Sequence, residues 1–134
     1  MSRVIAVDYG SKRVGIAISD HLRLTARPLE VVPRTHAVSR VAELAKELDV
    51  DTLVVGLPVG LSGGEGPSAA AARNMGAELA AATGLGVEYL DERFTTRLAE
   101  EALLESGMSR RRRRVTVDRV AAAILLQDYL DRRG

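Results

Sequence analysis

Arg3-Val-Ile-Ala-Val-Asp8-Tyr-Gly10-Ser-Lys-Arg-Val-Gly-Ile-Ala-Ile-Ser-Asp20 is the segment on which the fold of this 134-residue chain depends. It contains two short apolar runs, Val4–Val7 and Val14–Ile18, on either side of a turn that begins at Gly10. β-Branched residues favour strands, and glycine supplies the backbone freedom that a reversal needs. The segment therefore predicts a β-hairpin at the start of the chain.

Asp8 is the informative residue of this hairpin. Aspartate is disfavoured inside strands, and an ionised carboxylate beside an apolar run is costly unless a cation pairs with it. Lys12 and Arg13 lie just across the turn, so one interpretation is a local ion pair. The other is a carboxylate held on a rigid strand to bind a divalent cation.

Length and composition restrict the class of protein. We expect residues 1–134 to form a single domain with a core of aliphatic side chains, because 46% of the residues are hydrophobic and only 3% are aromatic. The absence of cysteine excludes disulfides, thiolate metal sites and cysteine nucleophiles. No apolar run is long enough to span a membrane and no signal peptide precedes the first strand, so we expect a soluble, cytoplasmic protein.

The middle of the chain continues with alternating elements. Pro28 and Pro33, near the two ends of the third strand Arg27–Pro33, either confine it to a sheet edge or bound its paired part. A helix over Ala37–Leu48 with Thr35 as its N-cap follows, and its apolar stripe consists of Val38, Val41, Leu44, Ala45 and Leu48. The unbroken apolar run Thr52–Gly56 indicates a strand buried on both faces. After a glycine-rich loop, Pro67 begins a helix that ends near Thr83.

The last third contains one strand and two helices. Gly86–Leu90 is the fifth strand, and a helix capped by Thr95 or Thr96 extends to Gly107. Five consecutive arginines, Arg110 to Arg114, then form a mobile loop by this interpretation. Thr116 caps a final helix over Val117–Leu130, whose packing face is predicted to be Val120, Ala121, Ile124, Leu125 and Tyr129.

The order β-β-β-α-β-α-β-α-α predicts a mixed sheet in which strands one, four and five are parallel. Ligands of open α/β sheets bind beyond the carboxyl ends of such strands. Asp8 ends strand one, Asp91 and Glu92 end strand five, and Asp118 begins the last helix. Each acid also has a structural interpretation: Glu92 can pair with Arg93, and Asp118 can offset the helix dipole.

The motifs resemble those of the YqgF/RuvX family over essentially the whole chain. They are Asp8-Tyr-Gly10-Ser-Lys-Arg-Val-Gly15, Ser19-Asp20, Gly56-Leu-Pro58, Gly63–Gly66, Asp91-Glu-Arg-Phe-Thr-Thr96 and Asp118-Arg-Val-Ala-Ala-Ala-Ile-Leu-Leu-Gln127. The resemblance implies an RNase H-like α/β fold, with a five-stranded mixed sheet of order 3-2-1-4-5 and helices on both faces. The family is regarded as a Holliday-junction resolvase or as a nuclease that matures the end of pre-16S ribosomal RNA.

Carried over by the resemblance, Asp8, Glu92 and Asp118 match the family's acidic triad of catalytic and metal-binding residues. Asp20 matches as well, without a settled role, and Asp91 is an alternative to Glu92. Carboxylates of this kind suit two Mg²⁺ (or Mn²⁺) ions, which activate a water and stabilise charge during phosphodiester hydrolysis.

Cationic residues around these acids are the candidate nucleic-acid contacts. Under the nuclease interpretation, phosphates are bound by Lys12, Arg13, Arg93, Arg110, Arg111, Arg112, Arg113 and Arg114. The alternative interpretation of the arginine run is a solvated loop. Because aromatic residues are scarce, base stacking is not expected to be the main source of affinity for single strands. We therefore expect structured nucleic acid, rather than single strands, as the substrate.

Two hypotheses follow from the sequence. The first is a metal-dependent nuclease acting on four-way junction DNA or on precursor ribosomal RNA. The second is a non-catalytic nucleic-acid-binding or ribosome-assembly module on the same fold. Paired cleavage of a junction needs two active sites, so a resolvase built from this chain is expected to be a homodimer.

Overall fold

The structure is a computed structural model that describes residues 2–10, 12–58, 64–91 and 110–133, with only the backbone described for residues 110–119. Its strands are β1 (Arg3–Tyr9), β2 (Arg13–Ser19), β3 (Ala26–Pro33), β4 (Val50–Leu57) and β5 (Gly86–Asp91). Its helices are α1 (Ala37–Glu47), which follows a 3-10 turn at Arg34–His36, α2 (Pro67–Thr83) and α3 (Arg110–Arg133).

The five strands form one sheet of order β3-β2-β1-β4-β5. The hairpin partners β1 and β2 are antiparallel, and so are β2 and β3. On the other side of β1, β4 and β5 are both parallel to it. The predicted hairpin, the edge position of β3 and the parallel set of strands one, four and five are confirmed.

Each face of the sheet is covered by helix. On one face α1 and α2 bury side chains that alternate along the central strands, including Ile5, Val7 and Leu53. On the other face α3 packs Leu125 and Leu126 against the intervening strand residues. The central strand β1 is therefore completely buried from Val4 to Val7.

The boundaries of α1 and α2 show what local sequence determines. The helix α2 begins at Pro67 and ends where Gly84 adopts a left-handed conformation, with φ of 72°, as predicted. The prediction of Thr35 as the N-cap of α1 is wrong. Thr35 lies inside the 3-10 turn, the cap position is His36, and no side chain caps the helix. A 3-10 turn that runs directly into the helix leaves no extended residue at which a threonine could cap.

The last helix differs from prediction in two ways. Within the described residues it already includes Arg110, so the arginine run is helical rather than a mobile loop and Thr116 is not a cap. The predicted packing face is confirmed only in part: Ala121, Leu125 and Tyr129 are buried, whereas Val120 and Ile124 are only half-buried. Ala122, Leu126 and Leu130 complete the buried face. Apolar residues surround this part of the helix, so periodicity alone could not give the whole face that packs.

The helix predicted from Thr95 or Thr96 to Gly107 lies outside the described residues. Among the helices that the structure describes, none is long and apolar enough to cross a membrane.

Candidate functional site

Asp8 lies at the carboxyl end of β1, half-buried and one residue beyond the fully buried Val7. Strand alternation places it on the face of Val4 and Ala6, which is the face that α3 covers. Its partner across the antiparallel ladder is Gly15 of β2. The central acid therefore stands in a rigid strand, beside a residue that has no side chain.

The other side of Asp8 is similar. Val7 pairs with Val55 of β4, so the next residue of β4, Gly56, comes level with Asp8 and belongs to the same face as Val54. Asp8 thus stands between two glycine positions.

The carboxyl end of β5 lies at the same end of the sheet as Asp8. Val55 of β4 pairs with Tyr89, and Leu57 pairs with Asp91. Two strand spacings of about 4.8 Å separate β1 from β5, so the ends of these strands are about 10 Å apart. Asp91 is exposed. It lies on the same face of the sheet as Tyr89 and its partner Leu57, which is the face covered by α1 and α2 and is opposite to that of Asp8. Its orientation argues against Asp91 as the partner of Asp8.

Asp20 lies at the far end of the sheet. Ser19, which precedes it, accepts a hydrogen bond at Oγ from the backbone N–H of Val4, four residues and about 13 Å before Asp8 along β1. The Asp20 carboxylate accepts hydrogen bonds from the N–H groups of Leu24 (2.7 Å) and Thr25 (3.1 Å). Those bonds, with that of Thr25 the stronger cause, lower the pKa of Asp20 below its ordinary value. Asp20 closes the β2–β3 turn and takes no part in the Asp8 site.

The tip of the β1–β2 hairpin brings cations to the Asp8 end. Lys12 and Arg13 are both exposed. The turn is tight at Gly10, where an added Cβ would lie 2.4 Å from the carbonyl oxygen of Arg13. A further cation joins them, because the N–H of Arg34 donates to the carbonyl oxygen of Lys12 at 3.0 Å. The hairpin tip thus holds Lys12 and Arg13, two of the predicted phosphate-binding residues, at the same end of the sheet as Asp8.

Arg34 is a candidate that sequence reasoning missed. It directly follows β3 and belongs to no motif. Its Nη1 donates to the Tyr9 hydroxyl at 3.3 Å, so its guanidinium lies beside the residue that follows Asp8. The signal available in the sequence was Pro33, because the end of an edge strand that pairs with β2 must fall near the hairpin tip.

Other arginines are held in structural ion pairs. Arg40 binds Glu30 through two nitrogens, which lowers the pKa of Glu30 and raises that of Arg40. Arg73 of α2 makes two 2.8 Å hydrogen bonds to Glu65, lowering the pKa of that carboxyl. These pairs join elements of the fold, and their arginines are less available to bind phosphate than Arg34.

The orientation of α3 is fixed by Gln127. Its side-chain amide donates to the carbonyl oxygen of Leu24 and accepts from the N–H of Ala26, each at 3.0 Å. Ala26 begins β3 and pairs with Ser19. Gln127 is therefore anchored at the sheet end opposite to Asp8.

The remaining predicted site residues are described less fully. Asp118 and Arg110–Arg114 belong to α3, where only the backbone is described, and Glu92 and Arg93 lie outside the described residues. Position 118 is eight residues into the described helix, about 12 Å from Arg110, too deep for the helix-dipole interpretation of its carboxylate. Among the described side chains, no group of three histidine, aspartate or glutamate residues is arranged to hold a metal ion.

Comparison with known proteins gives full-length relatives. A family model described as "RuvX: Holliday junction resolvase" matches residues 2–132. Two relatives named "Putative pre-16S rRNA nuclease" are those of Moorella thermoacetica, 44% identical over 98% of this chain and 96% of its own, and of Anaeromyxobacter sp. (strain K), 46% identical over 98% of both.

Solved structures match the fold at low sequence identity. T. thermophilus RuvC, in complex with a Holliday junction substrate, has a TM-score of 0.58 and 18% identity, covering 100% of this chain and 97% of its own. The Fowlpox virus resolvase, in complex with Holliday junction DNA, has a TM-score of 0.58 and 12% identity, with 97% of both chains covered. These likenesses concern the fold alone, and they confirm the predicted RNase H-like fold.

Proposed function

Since the chain belongs to the RuvX family of Holliday junction resolvases, as its motifs predicted, we propose that it is a metal-dependent nuclease that hydrolyses phosphodiester bonds in structured nucleic acid. The observation that carries the proposal is the position of Asp8. It stands between two glycine positions at the end of the central strand, where parallel strands β4 and β5 also end. Ligands of open α/β sheets bind at this kind of edge.

We assign Glu92 as the second acid of the site. Asp91, the last described residue of β5, is on the side of the sheet away from Asp8. Glu92 is the next residue in sequence, and the end of β5 is about 10 Å from that of β1, a span that two carboxylate side chains can bridge through bound ions.

Asp118 is the third acid. Gln127 is anchored level with the start of β1, and position 118 comes nine residues earlier in the helix, which corresponds to about 13.5 Å. Asp8 lies about 13 Å from the start of β1. The helix α3 contacts β1 and its neighbours. If α3 runs antiparallel to β1 from position 118 to Gln127, the similar distances along the helix and along the strand would bring position 118 level with Asp8.

The donor set suits Mg²⁺, or Mn²⁺ in its place. Both are hard cations that take carboxylate oxygens and keep several waters, and Asp8 supplies a half-buried carboxylate between two positions that carry no side chain. Two such ions, when bound, would activate the attacking water and stabilise the charge on the attacking and leaving oxygens. Asp8, Glu92 and Asp118 would hold them.

The cationic residues would bind the substrate. Lys12 and Arg13 at the hairpin tip, together with Arg93 and the helical run Arg110–Arg114, would contact phosphates on either side of the scissile bond. Such contacts provide affinity and orientation without base specificity.

Two substrates are proposed, four-way junction DNA and the precursor of 16S ribosomal RNA. The family description supports the first, and the names of relatives 44% and 46% identical to this chain support the second. Resolution of a junction would require a homodimer, because this chain carries one acidic triad and two symmetric cuts are needed.

The testing experiment is cleavage of both substrates, side by side, with Mg²⁺, by the wild-type protein and by Asp8→Asn. We expect Asp8→Asn to abolish cleavage of the preferred substrate while its affinity stays within about threefold, since phosphate contacts supply most of the binding energy. Asp49→Asn is the matched control. Asp49 is exposed, has a positive φ that asparagine tolerates, and precedes β4 at the end of the sheet opposite to Asp8. Equal cleavage by Asp8→Asn and wild-type protein would refute the assignment.

A further inference from the structure

A cavity of about 400 Å³ opens on the side of the sheet opposite to Asp8, at the same edge. Its walls come from β1, the 3-10 turn, α1 and α2. The lining residues are Tyr9, Arg34, Thr35, Val38, Ala71, Asn74, Met75 and Glu78. We call it the Tyr9 groove. Because Tyr9 directly follows Asp8, the groove begins one residue from the proposed site of cleavage.

The groove combines apolar walls with convergent polar groups. Val38, Ala71 and Met75 supply apolar surface, and the ring of Tyr9 supplies an aromatic face. Asn74 and Glu78 are one helical turn apart on α2, so their exposed side chains line the same wall. Neither side chain hydrogen-bonds to another described residue.

Arg34 is the cation that lines the groove, and it has contacts through its backbone and its side chain. The backbone of Arg34 is bonded to Lys12 at the hairpin tip, and its guanidinium is bonded to the Tyr9 hydroxyl. Arginine binds phosphates through several N–H groups at once. A phosphate at Arg34 would continue the row of cations that begins with Lys12 and Arg13.

We propose that the Tyr9 groove binds one unstacked nucleotide of the substrate strand, next to the scissile phosphate, with its base between α1 and α2 and its phosphate on Arg34. The inference rests on the proposed nuclease function and adds a base-reading site to it. Aromatic and apolar side chains receive unstacked bases, while an asparagine and a carboxylate read amino groups at base edges. Adenine, cytosine and guanine carry an amino group that uracil and thymine lack.

A free mononucleotide is a less suitable occupant. The groove is open and its polar groups are exposed, so a small ligand would remain largely hydrated there. A strand already held by the neighbouring cations would enter at a much lower entropic cost.

The test measures binding in the Asp8→Asn background, so that it does not depend on cleavage. 2-Aminopurine is placed at successive positions around the scissile phosphate of a four-way junction DNA and of an RNA that spans the end of the 16S precursor. We expect fluorescence to rise at one flanking position when protein binds, because the base leaves its stack. Ala71→Leu, which fills the groove, should abolish that rise. The double variant Asn74→Ala/Glu78→Gln, which removes the polar groups proposed to contact the base, should abolish it as well. Glu47→Gln, at an exposed glutamate of α1 outside the groove, should leave it unchanged.

Competition between oligonucleotides that differ only at the responding position gives the second measurement. We expect bases with an amino group to bind roughly fivefold better than uracil or thymine, the lower end of what one bidentate base contact contributes. The Asn74→Ala/Glu78→Gln variant should reduce this preference to less than about twofold.

Three results would overturn the proposal: no position responds, the response persists in both groove variants, or AMP and CMP bind the groove while the strand does not. Wild-type protein that fails to cleave either substrate, but whose Asp8→Asn variant gives the expected fluorescence pattern, would refute the nuclease function and leave the groove assignment standing.

Discussion

Asp8 of β1 and Gly15 of β2 stand directly opposite each other in the antiparallel ladder. Cross-strand neighbours on one face have Cβ atoms about 5 Å apart, so any larger residue at position 15 would lie against the carboxylate of Asp8. The pairing therefore places a residue without a side chain next to Asp8, in the part of the sheet where we propose that ions and the scissile phosphate bind.

The first prediction concerns this space. Gly15→Val should reduce the cleavage rate by roughly tenfold or more, because the branched side chain would occupy volume beside Asp8. Valine is favoured in strands, but Gly15 is buried, so a loss of stability must be separated from a loss of catalysis. Cleavage rates and urea unfolding curves would be measured in parallel.

Gly86→Ala is the matched control for Gly15→Val. Gly86 begins β5, and an added Cβ there meets no atom within 4 Å. The Gly86→Ala variant should therefore retain full cleavage activity. If Gly15→Val cleaves at the wild-type rate, the space beside Asp8 has no catalytic role.

The second prediction concerns the arginines of α3. Replacing Arg110–Arg114 by glutamine keeps helix propensity and removes charge. Affinity for DNA and RNA should fall for all sequences alike, and the slope of log K against log salt should decrease by about 0.9 for each arginine that contacts a duplex phosphate. Arg132→Gln, at the opposite end of the helix and paired with Asp128, is the control. An unchanged slope would make the run a solvated helix surface.

The third prediction concerns pH. The pKa of Asp20 is lowered in the folded protein, mainly by the N–H of Thr25 and then by that of Leu24. A carboxyl with a lowered folded pKa stabilises the fold above its unfolded pKa, about 3.9, and this contribution is lost as pH falls through the folded value. Asparagine keeps an oxygen acceptor for both N–H groups but cannot be ionised.

Urea unfolding between pH 2 and 7 tests this role of Asp20. The wild-type protein should be more stable than Asp20→Asn at neutral pH, and the difference should shrink below about pH 4. Cleavage at neutral pH should be the same for both proteins. A pH-independent difference would mean that the charge of Asp20 contributes nothing to the turn.

The fourth prediction concerns the contact between α2 and β5. A Cβ at Gly76 would lie 2.2 Å from the hydroxyl oxygen and 2.8 Å from the Cζ of Tyr89. Tyr89 is also held by Arg73, whose guanidinium carbon lies 5.0 Å from the ring centroid. Gly76→Ala should therefore lower the free energy of unfolding by about 1–3 kcal/mol, as overpacking does. A loss no greater than that of Gly86→Ala would indicate that Tyr89 moves aside freely.

The fifth prediction concerns assembly. If junction DNA is the substrate, light scattering should detect a homodimer on a four-way junction, since one chain supplies one triad. A monomer both with and without the junction would favour the processing of a single RNA end.

The sequence determined the positions of the strands and the two helices α1 and α2, because β-branched runs, Pro67 and Gly84 act locally. It also identified Asp8 as the acid at the end of the first strand, since aspartate after an apolar run contradicts strand propensity. It predicted the packing face of α3 only in part, since Ala121, Leu125 and Tyr129 are buried but Val120 and Ile124 are not. That helix is apolar on several sides, and the choice of packing face depends on Val4, Ala6 and Ala17, which are more than 100 residues away.

Only the tertiary structure separated the acids. Asp8 and Asp20 are only twelve residues apart in the sequence, yet the hairpin reverses direction between them and carries them to opposite ends of the sheet. Asp91 is the last residue of β5, at the same end of the sheet as Asp8 but on the opposite face, because side chains alternate along a strand. Local sequence supplies the carboxylates, whereas register and alternation across paired strands decide which of them can meet.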